Sequence, residues 1–233
     1  MKRIIISDIH IGSKYYKSKE LISFLKSMKY DQLILAGDII DFVKVPLFSD
    51  RAIEIVESID FTKDIIYIVG NHDTPMKGFI GKKAFGMNFV SHYEFQEGGR
   101  KFRVEHGDAY DSLGIFHNDI FMAFLSVTQN CLEHWFNLNL TDMVTRWKSK
   151  NRKMRRIWDI LKRNQDVDVF ICGHFHTPEA IIWIDERQGV KSYMNSGDWV
   201  SHSTFIVVED GVARLHEFKP GVDFNLKPNG YPI

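Results

Sequence analysis

Cysteine is nearly absent: the 233 residues carry two, Cys131 and Cys172, too few for a disulfide framework. Both read as free thiols in a reducing compartment. An excess of one charge is also missing. Lys plus Arg and Asp plus Glu each number 30, so no global field draws the chain to nucleic acid or to a membrane. Any such preference must come from local patches. No apolar run approaches the roughly 20 residues of a membrane span. Met1-Lys2-Arg3 passes straight into Ile4-Ile5-Ile6 and a polar Asp-His pair, with no apolar segment of signal-peptide length. The expectation is a cytoplasmic protein, with peripheral contact at the inner membrane surface left open. Internal repeats and low-complexity tracts are lacking too, and the length suits one domain with an insertion.

What is present is an alternation of short apolar runs and helical stretches. Lys2 to Ser7, Gln32 to Ala36 and Ile65 to Val69 read as buried strands. Lys19 to Met28 and Asp50 to Ile59 carry helical spacing between them. That βαβαβ order predicts a largely parallel sheet. Beyond Gly70, strand candidates follow at Lys101–Glu105, Val167–Cys172, Ala180–Ile184, Ser192–Asn195, Thr204–Val208 and Ala213–Phe218, the last two joined by a Glu209-Asp210-Gly211 hairpin turn. A second sheet packed on the first, an α/β/β/α sandwich, is the expected fold. The expected boundaries are a domain at 1–218, a helical cap inserted at about 111–165, and a Pro-, Gly- and Asn-rich coil tail at 219–233.

Five short motifs fall where these strands end, which is where α/β sheets form ligand sites. They are Asp8-Ile9-His10, Gly37-Asp38-Ile39-Ile40-Asp41, Gly70-Asn71-His72-Asp73, His106-Gly107-Asp108 and Gly173-His174-Phe175-His176. Singly, each has an ordinary explanation. Gly-Asp is common turn chemistry, Asn71 or Asp73 could cap a helix, and one of His174 and His176 could be a satisfied core histidine. Together they would bury imidazoles, carboxylates and an amide at consecutive strand ends, with many left unpaired unless cations hold them. Oxygen and imidazole donors without thiolate suit Mn, Fe or Zn better than calcium.

In this order the motifs resemble those of the calcineurin-like metallophosphoesterase superfamily: D-x-H, GD-x-x-D, GNHD, GH and GH-x-H. The fourth departs slightly, with Glu105 where the family has glycine. The resemblance implies two divalent ions per chain, Mn²⁺ foremost. One would be held by Asp8, His10, Asp38 and His176. Asp38 would bridge to the other, held also by Asn71, His106 and His174. A hydroxide between the ions would attack phosphorus in line. His72 is then the expected proton or hydrogen-bond donor to the phosphate or leaving group, with Asp73 orienting its ring. Asp41 and Asp108 would fix ligands by hydrogen bonds.

Within the superfamily the chain is most similar to the UDP-2,3-diacylglucosamine hydrolase group of lipid A biosynthesis. The helical insertion between the His106 and Gly173 motifs, the Asn195-Ser196-Gly197-Asp198-Trp199-Val200 segment and the length carry the likeness. The implied reaction is pyrophosphate hydrolysis releasing UMP. The best-described branch has arginine where this chain keeps His72. The alternative is a phosphodiesterase or phosphatase acting on cyclic nucleotides, nucleic acid or small phosphate esters. A scaffold that keeps the fold without the chemistry should lack some ligands, and here none is missing. In the insertion, Phe116, Phe121, Phe124, Leu125, Leu132, Trp135 and Phe136 either line an acyl groove or pack on the domain. Arg146, Lys148, Arg152, Arg155 and Arg156 lie in a basic run that suits a polyanionic substrate such as a nucleotide-linked lipid, or an anionic membrane surface. The same aromatic surface could instead serve dimerisation.

Overall fold

A computed structural model of the chain describes residues 1–42, 50–111, 153–186 and 189–225. β1 (Arg3–Ile6), β2 (Gln32–Ala36) and β3 (Asp64–Ile68) run parallel, with Ile5 opposite Ile34 and Ile34 opposite Ile66. Their side chains are buried on both faces, apart from Asp64 at the start of β3. A continuous apolar run, instead of alternation, is what such a position demands. α1 (Ser18–Ser27) and α2 (Asp50–Glu57) make the crossovers. α1 buries Leu21, Ile22, Phe24 and Leu25, places Glu20 in its first turn and Lys26 in its last, and stops where Met28 turns extended.

The sheet continues through β4 (Lys83–Ala84) and β5 (Met87–Val90) on one side and β11 (Thr204–Glu209) and β12 (Val212–Glu217) on the other, in the order β12-β11-β1-β2-β3-β5-β4. A second sheet, of order β6-β7-β8-β10-β9, holds β6 (His92–Glu97), β7 (Arg100–Glu105), β8 (Val169–Cys172), β9 (Glu179–Asp185) and β10 (Gly189–Asn195). β11 and β12 form the expected hairpin, with Asp210 and Gly211 both at positive φ in the turn. They do not extend the second sheet. They return to the first, antiparallel to β1. β6 escapes sequence reading because its residues alternate between exposed and half-buried along a polar edge.

Three apolar clusters separate four layers. Ile4, Leu33 and Tyr67 meet Leu21, Phe24 and Ile55 under the first helices. Ile5, Ile34 and Ile66 meet Phe102, Val169, Ile171 and Met194 between the sheets. Ile157 and Ile160, on α3 (153–163), meet Phe170, Cys172 and Tyr193 on the outer face of the second sheet. Each buried isoleucine contributes about 1.5–3 kcal/mol of transfer free energy. The α/β/β/α sandwich is thus observed. The aromatic run of the insertion, together with Arg146, Lys148, Arg152 and Cys131, lies outside the described residues. Among the described residues no helix is long and apolar enough to cross a membrane.

Candidate metal centre

The parallel strands stop at one edge, and there the backbone bends in a way side chains rarely tolerate. Eight described non-glycine residues have positive φ, and five of them are Asp8, His10, Asp38, His174 and His176. Each such residue costs roughly 1–3 kcal/mol and persists where surrounding structure imposes it, typically at functional sites. Two glycines are needed for close approach. A Cβ on Gly70 would collide with the Asp38 carboxylate, and one on Gly173 with Asp8 and Ser7.

These bends bring the side chains into two neighbouring groups. Asp8, His10 and His176 form one: His176 Nε2 is 3.4 Å from Asp8 Oδ1, and the His10 and His176 rings stack at 5.2 Å. Asp38, His106 and His174 form the other, with His106 Nε2 3.2 Å from Asp38 Oδ2. Asn71 Oδ1 joins the second group, 3.0 Å from His106 Nε2 and 3.1 Å from His174 Nδ1. Asp38 Oδ2 also lies 3.9 Å from His10 Nε2, so that carboxylate stands between the groups.

The donors fit divalent cations. His10 Nε2 is buried without a hydrogen-bond partner, an arrangement that a cation would satisfy. Ligands about 2.0–2.2 Å from one ion lie about 3.0–3.5 Å apart, the spacing seen here. His106 Nδ1 lies 3.0 Å from the Ala36 carbonyl; donating there leaves Nε2 to face the centre.

Acids behind the imidazoles fix their orientation. Asp41 faces His10 Nδ1 at 3.7 Å and His72 Nδ1 at 3.1 Å. Asp198 faces His176 Nδ1 at 3.6 Å and accepts from the backbone N–H of Val200 at 2.8 Å. Asp111 lies 3.5 Å from His174 Nε2. Asn195 Nδ2 donates to the Gly173 carbonyl at 2.6 Å, bracing the loop that carries His174 and His176. Sequence reasoning had no role for Asp111 or Asp198 at the site. The only signal was the Asn195–Val200 segment that follows the histidine motif.

Asp73 departs from expectation. Its carboxylate accepts from the N–H groups of Ile40 and Gly70, both at 3.1 Å, and from Tyr67 Oη at 2.8 Å. It ties the β2 and β3 loops together, while Asp41 holds the His72 ring. Burial first, then the nearby Asp38 charge, push Asp73 up to about 6.

The electrostatics are those of acids and imidazoles competing for positive charge. Burial alone would raise Asp38, but His106, His72 and His10 outweigh it and hold the carboxyl well below its usual range. Burial would lower His72, yet Asp38 and Asp41 carry it up to about 9. His106 rises against its burial chiefly through Asp38, with Asp8 and Asp108 adding to it, while burial leaves His174 lowered.

The basic run is less free than its composition suggests. Arg156 lies over the Phe175 ring, 3.5 Å from its centroid, and Lys153 pairs with Glu179. Arg155 is exposed.

A family model described as calcineurin-like phosphoesterase matches residues 1–188, a span that includes both donor groups. The chain belongs to the calcineurin-like phosphoesterase family. The DNA polymerase II small subunit of Thermoplasma acidophilum is 24% identical over 260 residues, covering 96% of this phosphoesterase and 48% of the polymerase subunit. The chain therefore spans about half the length of that curated relative. Among solved structures, Vps29 of Chaetomium thermophilum shares 12% identity, covers 93% of this chain and 95% of its own, and gives a TM-score of 0.49. A novel archaeal phosphodiesterase shares 16% identity over 93% and 99%, with a TM-score of 0.47. At these TM-scores the likeness carries no argument about function.

Proposed function

We propose that this calcineurin-like phosphoesterase hydrolyses a phosphodiester or pyrophosphate bond with two divalent ions, manganese foremost, held by Asp8, His10, Asp38, Asn71, His106, His174 and His176. The observation that carries the reading is the pair of neighbouring donor groups, with Asp38 of one 3.9 Å from His10 of the other and His10 Nε2 buried without a hydrogen-bond partner. When bound, such ions acidify water near neutral pH and neutralise phosphoryl oxygens. In this reading Asp38 joins the two donor groups, Asp8 belongs to the first and Asn71 to the second. Asp41 accepts from His72 Nδ1, which turns His72 Nε2 towards Asp38 at 4.0 Å. From there the Nε2 proton can pass to the leaving oxygen as its bond to phosphorus breaks.

The finer reading is hydrolysis of a UDP-2,3-diacylglucosamine-type pyrophosphate with release of UMP. The Asn195–Val200 segment, whose Asn195 and Asp198 brace the His174–His176 loop, supports it. A phosphodiesterase acting on nucleic acid is the second reading, supported by the polymerase subunit among the relatives. The test begins with chelated protein, adds back Mn²⁺, and follows bis(p-nitrophenyl) phosphate. Activity should rise with metal and saturate near two ions per chain. Metal-independent turnover would reject the proposal. UMP release from the UDP-lipid, set against cleavage of short DNA, then separates the two substrates.

A further inference from the structure

Between the β1–α1 loop and the start of α2 lies a cavity of about 490 Å³ lined by Lys14, Tyr16, Ser18, Asp50 and Arg51. Its volume falls within the range of small-molecule sites, about 300–1,000 Å³. Its walls are the β1–α1 loop with the first residue of α1, and the start of α2; the same β1–α1 loop carries Asp8 and His10. Lys14 is four residues beyond His10, at most about 14 Å of chain. That loop is tied to the loop after β2: Ile11 bridges Ile40, and Asp41 N–H donates to the Ile11 carbonyl at 3.0 Å. A ligand held by Lys14 is therefore within about 14 Å of chain from His10, on a braced surface.

The lining divides by chemistry. Tyr16 is half-buried against the core, and Ser18 is buried, so together they make a floor with one aromatic face. Lys14, Asp50 and Arg51 are exposed around it. Arg51 Nη1 donates to Ser18 Oγ at 3.4 Å, which holds the guanidinium over the floor. Two cations suit a phosphate that is not being cut. The aromatic face suits a base or sugar, and the Asp50 carboxylate suits a hydroxyl or amine donor.

We propose that this cavity is a nucleoside-phosphate subsite that holds the nucleotide unit adjoining the scissile phosphorus. The inference rests on the phosphoesterase reading and sharpens it. The same chemistry occurs in a polynucleotide and in a nucleoside diphosphate attached to another group.

The test pairs binding with turnover. Calorimetry on the metal-loaded chain, with thymidine 3′,5′-bisphosphate and separately with UDP, should show binding that Lys14→Ala/Arg51→Ala weakens about tenfold. Arg51→Lys should restore part of that loss. Tighter binding of the bisphosphate assigns the subsite to polynucleotides, and tighter binding of UDP to nucleoside diphosphates. In turnover, kcat/KM for thymidine 3′-phosphate 5′-(p-nitrophenyl phosphate), relative to bis(p-nitrophenyl) phosphate, should fall about tenfold in the double variant, through KM. Equal affinities in wild type and variant, or an unchanged ratio, would overturn the subsite. If neither ester is hydrolysed by the wild type, the phosphoesterase reading fails, while the binding comparison still decides the cavity.

Discussion

The two ends of the parallel strands are built on opposite principles. At the starting end, the buried Arg3 and Gln32 find protein partners for their polar groups. Arg3 Nε donates to Gln32 Oε1 at 2.9 Å, and Gln32 Nε2 donates to Asp64 Oδ2 at 2.5 Å and to Tyr93 Oη at 3.0 Å. Arg3 also pairs with Glu97 and lies 4.2 Å from the centre of the Phe95 ring. At the finishing end, five residues sit at left-handed φ, carboxylates face imidazoles, and His10 Nε2 has no partner. One end spends its polar groups on stability. The other keeps them for something not in the chain.

That contrast can be broken by experiment, beginning at the finishing end. Asp38→Ala removes the carboxylate that stands between the two donor groups. It should abolish metal loading and leave activity at background, a loss of roughly 10³-fold or more. Elemental analysis decides this, since two ions retained per chain would refute the ligand assignment. His72→Asn should keep both ions and lower kcat by about 10²–10³. The loss should shrink for esters with acidic leaving groups, which need no proton; an equal loss across leaving groups would remove His72 from that role. Asp198→Asn loosens His176 and should weaken metal affinity about 10–100-fold, read by chelator competition.

The starting end should respond in the other currency. Gln32→Ala leaves the buried Arg3 Nε without its acceptor and should cost about 1–3 kcal/mol in denaturant unfolding. Metal content and kcat should not change, and a drop in either would mean the two ends are coupled. The smallest effect concerns acid. The Lys101 N–H donates to Asp168 at 2.8 Å, and Lys191 follows at 3.3 Å. Chiefly through that backbone donor, they hold the Asp168 carboxyl below its ordinary value. A depressed carboxyl stabilises the fold above its unfolded value, near 3.9, and that stability is lost as pH falls through the folded value. Asp168→Asn should flatten this acid limb by less than about 1 kcal/mol, since the group is partly exposed and screened.

Part of this was open to reading without coordinates. β1, β2, β3, α1 and α2 were legible because buried parallel strands need unbroken apolar runs and covering helices need a 3.6-residue period. β6 was not, since an edge strand of alternating polar residues has no apolar signature. Nor could the return of β11 and β12 to the first sheet be read, because strand pairing depends on which edge is vacant, and local sequence does not record it. The same limit misplaced Asp73. Its neighbour in sequence is His72, but its bonding partners arrive from the β2 loop and Tyr67.

The sequence by itself determined the donor types, their order and their position at strand ends, since those follow from local periodicity and residue chemistry. Folding alone brings together the donors of each group, sets which acid orients each imidazole, and puts Lys14 and Arg51 on one cavity. Those relations join residues far apart in the chain, and sheet order and left-handed bends, not sequence distance, set their separation.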